Sequence, residues 1–160
     1  VKNALRMRPD RIILGEIRGA EAIDMLQAMN TGHDGSLGTV HSNSARDCLA
    51  RFETMVGIGM PNMSDKSIRE TIARALDVIV QVDRLPDGSR RLISVTEVTG
   101  MEGPTITTQD IFVFEQKTID EHGKVRGTFR ASGIRPRFAS RLASNGIRLS
   151  PELFRYEQEV

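Results

Sequence analysis

Side chains capable of chemistry follow two short segments of the chain. Glu16 comes just after the apolar run Ile12–Leu14, and His41 ends the segment Ser36–His41. A continuous apolar run between charged residues is typical of a strand that is buried on both faces, as in parallel sheets. Because consecutive parallel strands end at the same edge of a sheet, we expect Glu16 and His41 to face one ligand there.

The residue types at this edge suit the hydrolysis of a nucleotide. A carboxylate can hold a magnesium-bound water or polarise an attacking water. An imidazole can donate a hydrogen bond to a phosphate oxygen, and its protonation responds to the local charge. The hydroxyl of Thr39 adds a donor near His41. The chain contains no Gly-x-x-x-x-Gly-Lys-[Ser/Thr] phosphate loop, so only one side of such a site is present.

Plainer interpretations exist for each of these residues. Glu16 alone is compatible with a solvated acid at a strand end, and His41 with an ordinary hydrogen-bonded histidine. His33 suits a helix C-terminus, where the helix dipole favours it. A direct metal site formed by His33, His41 and Cys48 lacks any Cys-x-x-Cys or His-Glu-x-x-His spacing. We therefore expect no direct metal site, apart from Mg²⁺ acting through Glu16.

The composition narrows the class of protein. The 160 residues, 39% of them hydrophobic, suffice for one compact domain with room for an appendage. A net charge of +1 gives no overall basic excess, so we expect no direct nucleic-acid partner. The single cysteine cannot form an internal disulfide, which fits a reducing cytoplasm. No apolar run approaches the roughly 20 residues of a membrane helix, so any membrane role should be peripheral.

The periodicity of the chain changes near Asp77. Before it, the pattern predicts two short strands alternating with helices, one of them running from a Ser44 cap to about Met55. After it, alternating runs around Asp87-Gly88 indicate a hairpin. The later elements that we predict are strands over Val78–Leu85, Arg91–Val98, Ile111–Lys117 and Gly127–Ala131, and a short helix over Pro136–Asn145. The prediction is an α/β fold in which parallel strands with helices precede antiparallel hairpins and a short C-terminal helix.

Two segments together resemble a known family. Arg6–Gly19 resembles the Walker B segment of the type II/type IV secretion ATPases, and Thr31–Ala45 resembles their histidine box. Within that family the chain is most similar to the tight-adherence (Flp) pilus assembly ATPases of the CpaF kind. The box is one residue longer between its histidines than in the pilus-retraction branch, and Gln109–Phe114 and Gly133–Phe138 resemble the C-terminal end of the CpaF branch. The resemblance extends over residues 1–155.

The resemblance implies a partial RecA-like P-loop ATPase core. Residues 1–98 would be the C-terminal half of that core, and residues 99–160 an appendage with a β-hairpin and a short helix. The full-length protein would be a cytoplasmic homohexamer, peripheral to the inner membrane, that works with inner-membrane platform proteins. It would use ATP and Mg²⁺ to drive pilus assembly or protein secretion.

The same resemblance implies roles for individual residues. Glu16 would be the catalytic carboxylate that positions or activates water near magnesium. His41 and His33 would contact the nucleotide phosphates or sense their loss. Arg18 and Thr39 would support the active-site loop. The alternative for Arg18 is a surface arginine that pairs with Glu21.

The phosphate loop of the family lies upstream of Walker B and is missing from these residues. We therefore expect a C-terminal fragment that is inactive alone and that either self-associates through an uncovered sheet edge or is rearranged locally. The alternative is a non-catalytic assembly or docking module whose basic C-terminal half binds a partner subunit, an anionic membrane or nucleic acid. The arginines of that face would be Arg126, Arg130, Arg135, Arg137, Arg141 and Arg148.

Overall fold

The computed structural model describes residues 1–159, and Val160, the last residue of the predicted 99–160 segment, lies outside them. The chain divides into two compact units. The first comprises Val1–Asp77 and Gly100–Thr107, and the second comprises Val78–Thr99 and the chain from Thr108 onward. The hairpin that begins at Val78 thus starts the second unit, and the division at residue 98 into a core half and an appendage stays a prediction.

The first unit has the alternation of helices and parallel strands that the sequence predicted. Its elements are α1 (Lys2–Arg6), β1 (Ile13–Leu14), α2 (Glu21–Asn30), β2 (Leu37–Gly38), α3 (Ala45–Gly59) and α4 (Asp65–Ala75). Strands β1 and β2 pair in parallel, with Ile13 opposite Leu37 and Leu14 opposite Gly38. The predicted order of strand, helix, strand and helices is therefore confirmed.

Serine side chains begin the two longest helices, as expected from the preference for hydroxyl groups at helix N-caps. The Ser44 hydroxyl accepts from the Asp47 N–H at the start of α3, and the Ser64 hydroxyl accepts from the Ser67 N–H at the start of α4. Helix α3 continues to Gly59, four residues beyond the predicted end. Helices α2, α3 and α4 contact one another through apolar stripes that include Met25, Leu26, Phe52, Val56 and Ile72.

The two strands of this unit differ from the prediction in burial and length. Ile12 is buried, but Ile13 is 76% exposed and Leu37, opposite it, is 61% exposed. The predicted burial of the Ile12–Leu14 run on both faces is therefore wrong, because side chains of residues 1–159 cover only one face. The second strand spans two residues and not Ser36–His41, because regular pairing ends at Leu14 and Gly38, and only the bonds of Thr39 continue it past the bend at Gly15.

The second unit is built on an antiparallel sheet in the order β3-β4-β5-β6-β7. Its elements are β3 (Val78–Arg84), most of β4 (Arg90–Glu102) and of β5 (Thr105–Ile119), β6 (Val125–Ala131), β7 (Glu157–Glu159), α5 (Phe138–Ser144) and a 3₁₀ helix (Pro151–Arg155). The ends of β4 and β5 at their shared turn are counted with the first unit. The predicted hairpins and the short helix are confirmed. Strands β4 and β5 run further than predicted, to a tight turn at Gly103-Pro104, and β7 was not predicted.

Among residues 1–159, none of the helices has both the length and the apolar character needed to span a bilayer.

Candidate functional site

Thr39 fixes the backbone on both sides of Glu16. The N–H of Thr39 donates to the Leu14 carbonyl at 3.4 Å, and its carbonyl accepts from the Ile17 N–H at 2.8 Å. The Thr39 hydroxyl also donates to the carbonyl of Gly15. These three bonds continue the parallel pairing beyond the regular strands, so Glu16 lies at the carboxyl edge of the two-stranded sheet.

Gly38 leaves the space that Ile17 needs. Ile17 is 1% exposed, and its Cδ1 atom lies 2.7 Å from the point that a Cβ at position 38 would occupy. Real Cβ atoms essentially never approach so closely, so a side chain at position 38 would displace Ile17. The residue that follows Glu16 is thus anchored in the core because the facing strand carries a glycine.

Glu16 is held between two basic side chains. Arg18 Nη2 lies 2.5 Å from Glu16 Oε2, and His41 Nε2 lies 2.9 Å from Glu16 Oε1. The proximity of Glu16 and His41 that the strand ends predicted is confirmed. The hydrogen bond from Arg18 is the main cause that lowers the pKa of Glu16 below its usual value, and the charges of Arg18, His41 and Arg51 act in the same direction. The carboxyl group is therefore ionised at neutral pH.

The two oxygens of Glu16 differ in how they are engaged. Oε2 accepts from Arg18, whereas Oε1 is buried and receives no well-directed hydrogen bond from residues 1–159, despite its 2.9 Å approach to His41. A buried ionised oxygen with open lone pairs requires a donor or a cation. Because Oε1 is shielded from solvent, a water molecule or a metal-bound water can reach it only when a neighbouring group such as the His41 imidazole moves aside.

The donor set of this edge fits Mg²⁺ that arrives with a nucleotide. Residues 1–159 contain no group of three or more His, Cys, Asp and Glu side chains that could hold a metal ion, so His33, His41 and Cys48 do not meet. Mg²⁺ commonly takes one or two carboxylates and completes its octahedron with water and substrate phosphates. Glu16 can supply that single carboxylate, directly or through water. Cys48 is a core residue, and burial raises the pKa of its thiol.

A cavity of about 390 Å³ opens beside His41 at the amino end of α3. Its lining residues are His41, Ser42, Asn43, Asp47 and Arg51. The N-terminus of a helix carries partial positive charge, and an imidazole and a guanidinium add further donors. Apart from the carboxylate of Asp47, the lining suits an anionic group such as a phosphate.

His33 lies at the opposite end of β2 from His41. Its carbonyl accepts from the Ser36 hydroxyl at 2.7 Å, and that hydroxyl in turn accepts from the Ile12 N–H at 3.0 Å, at the amino end of β1. The structure therefore does not bring His33 to Glu16. The Nδ1 atom of His33 is buried and has no hydrogen-bond partner among residues 1–159.

Glu21 was considered in the sequence only as a side-chain partner of Arg18, and its contacts with the backbone were missed. Its carboxylate accepts from the backbone N–H groups of Arg18, at 2.7 Å, and of Gly19, at 3.1 Å. The proposed side-chain pair of Arg18 with Glu21 does not form, because the guanidinium turns to Glu16 and Glu21 takes the Arg18 backbone. An acid three residues after Arg18, at the start of a helix, was the available signal.

Several arginines of the expected basic face are engaged within the second unit. Two of them pair with acids, which reduces the positive field that this half can present to an anionic surface, and a third donates to a backbone carbonyl. The pairs are Arg126 with Asp120 at 2.8 Å, Arg130 with Glu115, and Arg137 with the carbonyl of Thr99.

Comparison with known proteins gives relatives from secretion and conjugation systems. A putative conjugal transfer protein of Mycobacterium tuberculosis is 43% identical over 103 residues, which are 64% of this chain and 29% of that protein. The type IV secretion system protein PtlH of Bordetella pertussis is 35% identical over 109 residues, which are 65% of this chain and 32% of that protein. The chain thus spans about a third of the length of these relatives.

A solved structure has a similar fold. It is the VirB11 ATPase from the Brucella suis type IV secretion system in complex with sulphate, and it matches with a TM-score of 0.55 and 33% sequence identity. The match covers 59% of this chain and 30% of that one. The sequence profile of the "Type II/IV secretion system protein" family matches residues 1–132, a range that includes both Glu16 and His41. The chain belongs to the type II/IV secretion system protein family.

Proposed function

We propose that this chain carries the Walker B carboxylate and the histidine box of a secretion ATPase. The observation that carries the proposal is Glu16, whose ionised carboxylate has one oxygen on Arg18 and the other buried beside His41 without a well-directed hydrogen bond. Such a carboxylate can orient a water molecule for attack on a phosphoryl group once His41 moves from Oε1 toward a phosphate oxygen. ATP and Mg²⁺ are the proposed nucleotide and metal.

Each residue of the cluster has a separate task in this proposal. Glu16 orients the attacking water, directly or through magnesium, which neutralises charge on the phosphates when it is bound. His41 lies next to Glu16 and lines the cavity that suits an anionic group. It can therefore donate to a phosphate oxygen and lose that hydrogen bond when the phosphate leaves. Arg18 holds one oxygen of Glu16, and Thr39 holds the adjoining backbone. His33 lies at the other end of β2, so the phosphate-sensing role is assigned to His41.

The proposal extends to the whole protein. The chain is the C-terminal part of an ATPase of the tight-adherence pilus branch, of the CpaF kind, in which residues 1–98 belong to a RecA-like core and residues 99–160 form an appendage. It works as a homohexamer on inner-membrane platform proteins, at the cytoplasmic face, and drives pilus assembly or secretion. The motif resemblance and the relatives from conjugation and type IV secretion support this proposal.

Residues 1–160 alone are proposed to be inactive. They contain no glycine-rich loop with a lysine to hold the β- and γ-phosphates, and no serine or threonine from such a loop to bind magnesium. Purified residues 1–160 should show no magnesium-dependent release of phosphate from ATP. Turnover above a heat-inactivated control would refute this part of the proposal.

The catalytic role is tested by Glu16→Gln in the full-length protein that carries this chain. The amide keeps the size of the side chain but cannot accept a proton or carry the charge, so turnover should be lost while nucleotide binding stays close to that of the parent. Glu115→Gln is the matched control, because Glu115 is also paired with an arginine but lies in the second unit. Undiminished turnover in Glu16→Gln would remove Glu16 from its proposed role.

A further inference from the structure

The loop between β1 and α2 is held by a side chain that the proposed reaction does not use. Glu21 Oε1 accepts from both the Arg18 N–H, at 2.7 Å, and the Gly19 N–H, at 3.1 Å. Two backbone donors on one carboxylate oxygen fix the chain direction just after Glu16. These hydrogen bonds to an anion are stronger than bonds between neutral groups.

These bonds differ from ordinary helix capping. Glu21 is the first residue of α2, and Ala20, at the N-cap position, makes no side-chain capping bond. A capping side chain satisfies N–H groups of the first helical turn, two or three residues further along the chain. Glu21 instead reaches back to two residues that precede the helix. Its contacts therefore shape the loop that leads out of the site.

Arg18 is the link between this anchor and the catalytic carboxylate. Its backbone N–H is bound by Glu21, and its guanidinium is bound to Glu16. The Arg18 side chain is 73% exposed, and an exposed ion pair between freely moving chains contributes little. A fixed backbone limits the positions that the guanidinium can take, so the pair depends on the anchor. Gly19 leaves room for the anchor, since a Cβ there would lie 3.3 Å from Glu21 Oε2.

We propose that Glu21 is a positioning residue, which holds the backbone of Arg18 so that the guanidinium stays on Glu16. Thr39 holds the residues on either side of Glu16, and Glu21 holds the two that follow Ile17. Thr39 directly follows β2 and Glu21 begins α2, and both hold the segment between β1 and α2. The positioning of Arg18 by Glu21 can be tested in this chain alone, whereas its importance for catalysis rests on the proposed function.

The test is an NMR titration of the Glu16 side-chain carboxyl carbon in the 160-residue chain and its variants. In Glu21→Ala the Arg18 backbone is released, so the pKa of Glu16 should rise toward its ordinary value. Loss of the Glu21 charge alone would act in the opposite direction, because removal of a nearby negative charge favours ionisation of Glu16. The direction of the shift therefore separates positioning from simple electrostatics.

Two further variants sharpen the result. Glu21→Gln keeps a carbonyl oxygen for the two N–H groups, so it should leave the pKa of Glu16 low. Asp24→Ala is the matched control, because it removes another acid from the first turn of α2 without touching the loop. Circular dichroism of each variant establishes that it is folded. A rise in Glu21→Ala that is absent from Glu21→Gln and Asp24→Ala supports the proposal.

A pKa of Glu16 in Glu21→Ala that is no higher than in Glu21→Gln overturns the proposal, because the two variants lose the same charge, and so does an equal rise in Asp24→Ala. This outcome is independent of the proposed function, because the titration requires no nucleotide and no turnover. If Glu16→Gln left ATP turnover intact, the catalytic assignment would fail while the titration result stood. If the titration failed and Glu16→Gln abolished turnover, only the role of Glu21 would be lost.

Discussion

The side chain of Ile17 crosses the backbone of Gly38 so closely that a Cβ at position 38 would lie 2.7 Å from Ile17 Cδ1. Gly38→Ala should therefore push Ile17 out of its buried position. Overpacking of this kind costs about 1 to 3 kcal/mol, so the free energy of unfolding should fall by that amount in urea titrations.

Gly57→Ala is the matched control for this substitution. Gly57 lies within α3, and a Cβ there would meet only Ile68 Cδ1 at an ordinary 4.0 Å. Alanine is favoured over glycine within a helix by roughly 0.5 to 1 kcal/mol, so this variant should be slightly more stable than the parent. Equal stability of the two variants would contradict the packing argument.

Thr39 makes three hydrogen bonds to the backbone around Glu16, and a substitution can remove the one made by its hydroxyl without changing the other two. Thr39→Val keeps the shape of the side chain but loses the bond to the Gly15 carbonyl, so stability should fall by about 1 kcal/mol. Thr39→Ser keeps the hydroxyl and should retain the bond. The measurement is the urea midpoint of both variants, and in the full-length protein kcat should fall in Thr39→Val without a matching rise in KM.

Asp87 should contribute to stability in a pH-dependent way. Its carboxylate accepts from the Ser89 hydroxyl and N–H and from the Val125 N–H, and the Ser89 hydroxyl is the first cause that lowers the pKa of Asp87 from 3.8 to about 2. A pKa that is lower in the folded state gives stability that is fully present above the unfolded value and is lost as pH falls.

The effect of Asp87→Asn should thus be largest above about pH 4 and disappear toward pH 2. Chemical unfolding of parent and variant between pH 2 and pH 6 measures it. Glu121→Gln serves as the control, since Glu121 is an exposed residue of the turn after β5. A stability difference that stayed constant over this range would contradict the linkage.

The exposed pair Ile13 and Leu37 predicts self-association. The two side chains lie opposite each other on β1 and β2, on the face that residues 1–159 leave uncovered. Ile13→Lys should lower the sedimentation coefficient of the 160-residue chain at a fixed concentration, because a charge on this face opposes apolar contact. Ile119→Lys is the control, since Ile119 is 54% exposed but lies in the second unit. A parent chain that sediments as a monomer at all concentrations would refute the expectation.

Local signals predicted much of this fold. Ser44 correctly predicted the start of α3, because its hydroxyl accepts from the backbone N–H of Asp47, three residues further along. Asp87-Gly88 was a correct hairpin signal, since Gly88 adopts φ +80° in the turn. Each of these features depends on contacts close in the sequence, which are the contacts that a sequence pattern can encode.

The predictions of burial and of strand ends were wrong where contacts between residues distant in sequence determine them. The burial of Ile13 depends on which faces of the sheet other segments cover, and the apolar run does not reveal that. Strand β4 continues past its predicted end at Val98, because Gly100 adopts φ +126° inside the strand, a conformation that glycine tolerates. At the site, the proximity of Glu16 and His41 followed from topology, whereas the task of Glu21 depended on the direction in which its carboxylate points.

The parallel pairing of β2 also determines where this chain can accept a change of length. From Leu37 onward the strand is tied to β1 by backbone bonds, and a slip of one residue would reverse the faces of its side chains. The turn before it, around Gly35 with φ +80°, has no strand pairing, and its link to the first strand is the Ser36 hydroxyl that accepts from the Ile12 N–H. We therefore expect a change of length before Ser36 to disturb the contact of His41 with Glu16 less than one between Leu37 and His41.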